Sequence, residues 1–151
     1  MILRIRTDSS HKDFIDLVKQ LDAYLSEVDG DDHSFYSQFN KIDVLNQVVL
    51  IYEDETVVAC GAFKIFEPGV AEVKRMFTIP TKRGTGKASL VLQGIEEWAG
   101  AIGFHTLRLE TGKRMVDAVA FYEKNGYSII PNYGQYIGVP NSVCFEKKLE
   151  K

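Results

Sequence analysis

Arg83, Gly84, Thr85, Gly86 and Lys87 sit where one kind of pattern becomes another. In KRMFTIPTKRGTGKASLVLQGIEEWA, residues 74–99, a strand-like run enters a basic, glycine-rich turn and leaves it as a helix-like run with no charge before Glu96. A helix N-terminus presents unpaired backbone N–H groups and a partial positive charge, and glycines let an anion come close enough to collect several of them. Lys82, Arg83 and Lys87 add local charge, so the chemistry on offer is phosphate binding. From the motif alone, a turn carrying solvated cations explains the composition equally well.

Two nucleotide motifs can be tested at this junction. A P-loop requires Gly-x-x-x-x-Gly-Lys-Ser/Thr, but Thr81 stands at its first glycine and Ala88 at its magnesium-binding hydroxyl. A dinucleotide fingerprint, Gly-x-Gly-x-x-Gly, fits Gly84 and Gly86 and meets Ser89 at the third glycine. Glu110 ends the next strand near the distance of a ribose-binding carboxylate. The surrounding elements nevertheless supply one βαβ unit after a meander, too little for a doubly wound domain.

Those elements are read from periodicity. MILRIRT alternates as a half-buried strand, and Asp8, Ser9 and Ser10 offer caps to a helix in which Phe14, Leu17, Val18, Leu21, Tyr24, Leu25 and Val28 recur at helical steps. A second helix is expected over SFYSQFNKI, capped by Asp31 or Asp32. NQVVLIYED and TVVACGAFKIF read as strands joined by a tight turn at Asp54 and Glu55, followed by VAEVKRMFTI after Pro68-Gly69. A helix follows over residues 84–102, then a strand in HTLRLET, a helix in VDAVAFYEKNGY and a closing strand in SVCFEKKL. The expectation is a mixed α/β chain: one domain over residues 1–151, with a central, mostly antiparallel sheet flanked by helices.

On that scaffold, VKRMFTIPTKRGTGKASLVLQGIEEWA resembles the pyrophosphate loop of the GCN5-related N-acetyltransferases, Arg/Gln-x-x-Gly-x-Gly/Ala between a strand and a helix. Arg83, Gly86 and Ala88 fill the pattern, with Gly84 as a frequent variant. AVAFYEKNGY is similar to a second family block, Ala-x-x-Phe/Leu-Tyr-x-x-x-Gly-Phe/Tyr, in the expected order. The resemblance implies an acyl-CoA N-acyltransferase fold and transfer of the acetyl group of acetyl-CoA, the cosubstrate, to a primary amine of a small molecule or amino acid within a ternary complex. It implies that Arg83, Gly84, Thr85, Gly86, Lys87 and Ala88 hold the pyrophosphate, and that backbone groups of Met76, Phe77 and Thr78 meet the pantetheine. It places Glu72 where histone-modifying members carry a catalytic glutamate, and Tyr122 on the tyrosine that protonates the leaving thiolate. Glu110, at a strand end, is the rival base. Met115 stands where many relatives have a cofactor-contacting asparagine. An acyl-CoA sensor without turnover is the alternative function.

The acceptor would be met by the early helices and the last hairpin. Tyr36, Gln38, Asn40, Tyr133, Gln135 and Tyr136 offer a polar, aromatic-walled pocket, although aromatic packing accounts for each of them singly. A net charge of −3 supplies no overall field for nucleic acid or an anionic membrane, so any anion site is local. Cys60 and Cys144 lack metal-ligand or disulfide spacing and read as reduced core thiols of a cytoplasmic protein. The three histidines are scattered, and no metal is expected. No uncharged apolar run reaches membrane-spanning length, and a homodimer is left open.

Overall fold

The computed structural model describes residues 1–29 and 45–149. Along them run β1 (Ile2–Thr7), α1 (Lys12–Asp29), β2 (Gln47–Glu53), β3 (Thr56–Glu67), β4 (Val70–Thr78), α2 (Lys87–Ala101), β5 (Thr106–Gly112), α3 (Val116–Lys124), β6 (Ser128–Ile130) and β7 (Ser142–Lys148). The helix expected over SFYSQFNKI, with Tyr36, Gln38 and Asn40, lies outside the described residues. Strand β6 is an addition to the expected order. At the start of α1 the expected caps are replaced: the Asp13 N–H donates to His11 Nδ1 at 3.1 Å, and Asp8 closes the turn before it by accepting from the Ser10 N–H at 2.9 Å.

The strands form one mixed sheet in the order β1-β2-β3-β4-β5-β7-β6. Every neighbouring pair is antiparallel except β4 and β5, which are joined by the crossover through α2. The β2–β3 hairpin closes through Asp54 and Glu55, both at positive φ, 50° and 72°, as a two-residue turn matched to strand twist requires.

Strand periodicity divides the core between the two faces. Val48 and Leu50 join Phe14, Leu17, Val18 and Leu21 of α1 on one side. Val49 and Ile51 join Val91, Leu92 and Ile95 of α2 on the other, in a cluster that continues through Leu107, Leu109, Tyr122 and Phe145. Each such fully buried aliphatic or aromatic side chain stabilises by about 1.5–3 kcal/mol. The two faces therefore fix α1 and α2 independently.

Two features of β4 position the site. Opposite β3, Ala62 pairs with Lys74 and Cys60 with Phe77, so Arg75 and Met76 together face Gly61. This is a β-bulge, with Arg75 at φ 59°, a conformation that non-glycine residues adopt at a cost. Cys60 Sγ donates to the Arg75 carbonyl across it at 3.3 Å. Opposite β5, pairing lasts only from Val70–Thr106 through Glu72–Arg108. Beyond Glu72 the two strands part, while β5 stays paired with β7 as far as Gly112–Ser142.

Gly61 lets α2 approach the bulge. A Cβ there would lie 2.4 Å from Met76 Sδ, 2.6 Å from Val91 Cγ1 and 3.1 Å from Ile95 Cδ1. Gly61→Val is expected to force α2 off β3 and lower unfolding free energy by about 1–3 kcal/mol. Urea denaturation followed by circular dichroism checks this, and an unchanged midpoint would mean that α2 does not pack closely at Gly61.

Candidate active site

A cleft opens where β4 and β5 part. Leu21 and Leu25 of α1 line it from one face of the sheet, and Met115, Ala118 and Tyr122 from the other. Lys74, Arg75 and Met76 form the β4 wall, and Leu109 to Gly112 the β5 wall. The cleft thus joins the two sides of the sheet through the missing ladder, and Glu110 and Tyr122 share it.

At the far end of β4 the chain turns through Pro80–Lys82 into the glycine-rich loop. Gly84 and Gly86 adopt φ 77° and 85°, and Gly86 is the N-terminal cap of α2. A side chain at either would meet nothing within 4 Å, so the ground above both is open. Among the described residues, the N–H groups of Gly84 to Ser89 have no hydrogen-bond acceptor; the first paired N–H of α2 is that of Leu90, to the Gly86 carbonyl at 3.2 Å. Six donors at a helix N-terminus make an anion cradle.

The cations stand differently from a simple ring of charge. Lys82 and Lys87 both pair with Glu53 at the end of β2, Lys87 at 3.4 Å, and Lys87 is buried. The Lys82 hydrogen bond holds the Glu53 carboxyl below its ordinary range. Arg83 donates from Nε to the Thr78 carbonyl at 3.2 Å and lies over the Tyr24 ring at 4.7 Å. The loop is thereby tied to β2, β4 and α1, beside the row of backbone donors from Gly84 to Ser89.

The sheet face toward α1 gathers the predicted carboxylates and two of the predicted tyrosines. Glu72 is 4% exposed, accepts from Tyr133 Oη at 2.6 Å and stands 3.6 Å from Lys74 Nζ. It is a buried, paired carboxylate, not a solvent-facing one, and it does not line the cleft. Glu110, which does, accepts from Ser142 Oγ at 2.7 Å on the neighbouring β7. Burial, then the Glu72 charge, pushes the Tyr133 phenol up; burial, then Glu110 and Glu72, does the same to Tyr136. Both tyrosines come from the segment between β6 and β7, where Tyr133 and Tyr136 pack edge to face at 5.8 Å.

The Tyr122 ring packs against those of Phe121 at 5.1 Å, Phe145 at 5.8 Å and Tyr127 at 5.9 Å. Its hydroxyl has no hydrogen-bond partner among the described residues. Burial raises its pKa, so the phenol keeps its proton at neutral pH. Met115 precedes α3 and accepts from Thr111 Oγ1 at 3.6 Å through its sulfur, lining the cleft where the resemblance implied an asparagine. Sequence reasoning missed Arg75 and Ser142; the burial of an arginine on a strand is not legible in its type.

Comparison with known proteins agrees with this architecture. The model of the acetyltransferase (GNAT) family matches residues 14–127, and the chain belongs to that family. An IAA acetyltransferase of Azospirillum brasilense is 34% identical over 139 residues, covering 89% of this chain and 90% of its own. A crystal structure from Klebsiella pneumoniae, described as an acyl-CoA N-acyltransferase, superimposes with a TM-score of 0.82 at 29% identity over 99% of both chains. An N-acetyltransferase of Thermoplasma acidophilum, solved with coenzyme A, shares the fold at a TM-score of 0.71 and 18% identity, over 98% of this chain and 99% of that one. The protein is an acetyltransferase enzyme with a mixed sheet of the acyl-CoA N-acyltransferase type.

Tyr133→Phe deprives buried Glu72 of its hydroxyl donor while keeping the ring. A loss of about 1–3 kcal/mol in unfolding free energy is expected from urea denaturation at pH 7. A midpoint equal to wild type would show that the loop hydroxyl does not hold Glu72.

Proposed function

We propose that the enzyme is an N-acetyltransferase that moves the acetyl group of acetyl-CoA to a primary amine of a small molecule or amino acid by direct attack in a ternary complex. The observation that carries this reading is the alignment, along β4, of a broken ladder with an open helix N-terminus. Backbone donors of Gly84 to Ala88 suit a pyrophosphate, and the β5-side groups of Met76, Phe77 and Thr78, left without a strand partner, suit the amide groups of a pantetheine arm. Bound there, acetyl-CoA would supply the thioester carbonyl that the amine attacks and a thiolate as leaving group.

The chain's own groups divide the remaining work. An ammonium must lose a proton to become a nucleophile, and Glu110 is the carboxylate that lines the cleft. Glu72, fastened to Tyr133 and Lys74, supports the acceptor wall and is the second candidate for the base. A backbone N–H of the Met76–Thr78 segment suits a developing oxyanion. Tyr122, protonated and unpaired, is the donor to the departing sulfur. Tyr136 stands by both carboxylates and completes the aromatic wall with Tyr133.

Release of free thiol from acetyl-CoA across a panel of amines and amino acids tests the activity. Cofactor binding with no thiol release from any of them would favour the sensor. Gly86→Val, which places a β-branched residue at φ 85° in the cradle, should abolish acetyl-CoA binding in calorimetry while the far-ultraviolet spectrum stays native. Wild-type affinity in the folded variant would remove the loop from the cofactor site.

The proton-transfer roles are separable. Tyr122→Phe should lower turnover by about tenfold to a hundredfold with little change in acetyl-CoA affinity, because the hydroxyl has no hydrogen-bond partner among the described residues. Wild-type turnover under chemistry-limited conditions would exclude it as the donor. Glu110→Gln should lose rate at neutral pH and regain part of it at high pH, where free amine is plentiful. If Glu72→Gln shows that profile and Glu110→Gln does not, the base is Glu72.

A further inference from the structure

The bulge on β4 turns Arg75 into the protein, and its side chain is only 4% exposed. Nη1 donates to Asp22 Oδ1 of α1 at 2.7 Å. Nη2 is buried with no hydrogen-bond partner among the described residues. A guanidinium is always charged and carries two N–H donors on each terminal nitrogen, so an unmatched terminus inside a protein is a standing demand for an acceptor. Asp22 pairs the charge through Nη1 alone, whereas nearby Lys74 pairs with Glu72, and Arg108 with Glu146 at 2.8 Å and Glu67 at 3.5 Å.

Arg75 lines the same cleft as Glu110, between the α1 residues Leu21 and Leu25 and the parting of the strands. That cleft therefore has an anionic group on its β5 wall and a half-satisfied cation on its β4 wall. A simple amine would use only the first. We propose that the acceptor is an amine that also bears a carboxylate, an amino acid in the general sense, and that Arg75 holds the carboxylate through Nη2 while the amine faces Glu110. A carboxylate would accept the Nη2 hydrogen bonds that Asp22 leaves unmet, and charge-assisted bonds of this type discriminate strongly when desolvated. The strained φ of 59° at Arg75 fits this role, since an ordinary pleat would not set Arg75 and Met76 together against one β3 residue.

This inference deepens the proposed N-acetyl transfer and rests on it. The experiment compares kcat/KM for the common amino acids with that for the amines formed by their decarboxylation, using acetyl-CoA and thiol release. For the best acceptors, wild type should prefer the carboxylate-bearing member by about tenfold to a hundredfold. In Arg75→Gln, and in Arg75→Lys, which keeps a charge for Asp22 but loses the fork, that ratio should fall toward one. A purely structural Arg75 would slow both members of a pair in proportion and leave the ratio intact, which would overturn the inference. So would a wild type that prefers the decarboxylated amines, a result that leaves N-acetyl transfer standing. If no amine of either kind is acetylated, the proposed transfer fails instead. Calorimetric titration of the amino acids onto wild type saturated with coenzyme A then decides the inference: binding that Arg75→Gln weakens at least tenfold upholds it, and no binding, or binding insensitive to Arg75→Gln, overturns it.

Discussion

The structure depends on a ladder that stops. β4 and β5 share three residue pairs, from Val70–Thr106 to Glu72–Arg108, and then separate although each continues as a strand. Unpaired backbone groups inside a protein are costly, so such a gap persists only when packing on both sides forbids closure and a ligand or solvent meets the exposed groups. Here β4 is held to β3 through a bulge at Arg75, and β5 is held to β7 over its whole length. α1 and α2 clamp the first half of the sheet from opposite faces, and α3 leans its Tyr122 against Phe145 of the second. Each half is therefore held by its own pairing and packing, and the cleft between them is built into the fold.

Everything assigned to the site follows from where that gap falls. The loop that leaves β4 delivers the N-terminus of α2 to one end of the gap, with Gly84 and Gly86 at positive φ leaving its donors uncovered. Glu53 draws Lys82 and Lys87 to one side and Tyr24 carries Arg83 on its face, so these cations fasten the loop beside its unpaired backbone N–H groups. On the α1 side, the segment between β6 and β7 lowers Tyr133 onto Glu72 and brings Tyr136 near both carboxylates. Family membership accords with this arrangement, in which Tyr122 Oη, Arg75 Nη2 and the N–H groups of the loop have no hydrogen-bond partner among the described residues.

Much of this was legible in the residues. The β-branched, apolar runs in NQVVLIYED and TVVACGAFKIF marked both strands, Asp54 and Glu55 marked their turn, and the order of the two motifs marked the family. What stayed hidden depends on long-range geometry. The bulge could not be read because an arginine at φ 59° has no local signal of the kind a glycine gives. β6 escaped because three residues, two of them exposed, make no periodic pattern. The pairing of Glu110 with Ser142 was hidden because the two are 32 residues apart, and the pairing of Lys87 with Glu53 needs β2 to lie beside the loop. Tyr36 and Asn40, predicted for the acceptor wall, lie outside the described residues.

The most direct measurement is backbone amide NMR of the isotope-labelled protein titrated with coenzyme A. The largest shifts and slowed exchange are expected at two separated stretches, the amides of Met76 to Thr78 in the unpaired half of β4 and those of Gly84 to Ser89 at the start of α2, with β1 and β2 nearly unmoved. Saturable binding that leaves both stretches unperturbed, or that perturbs the loop while β4 stays silent, would contradict the claim that the broken ladder and the open helix end form one cofactor site.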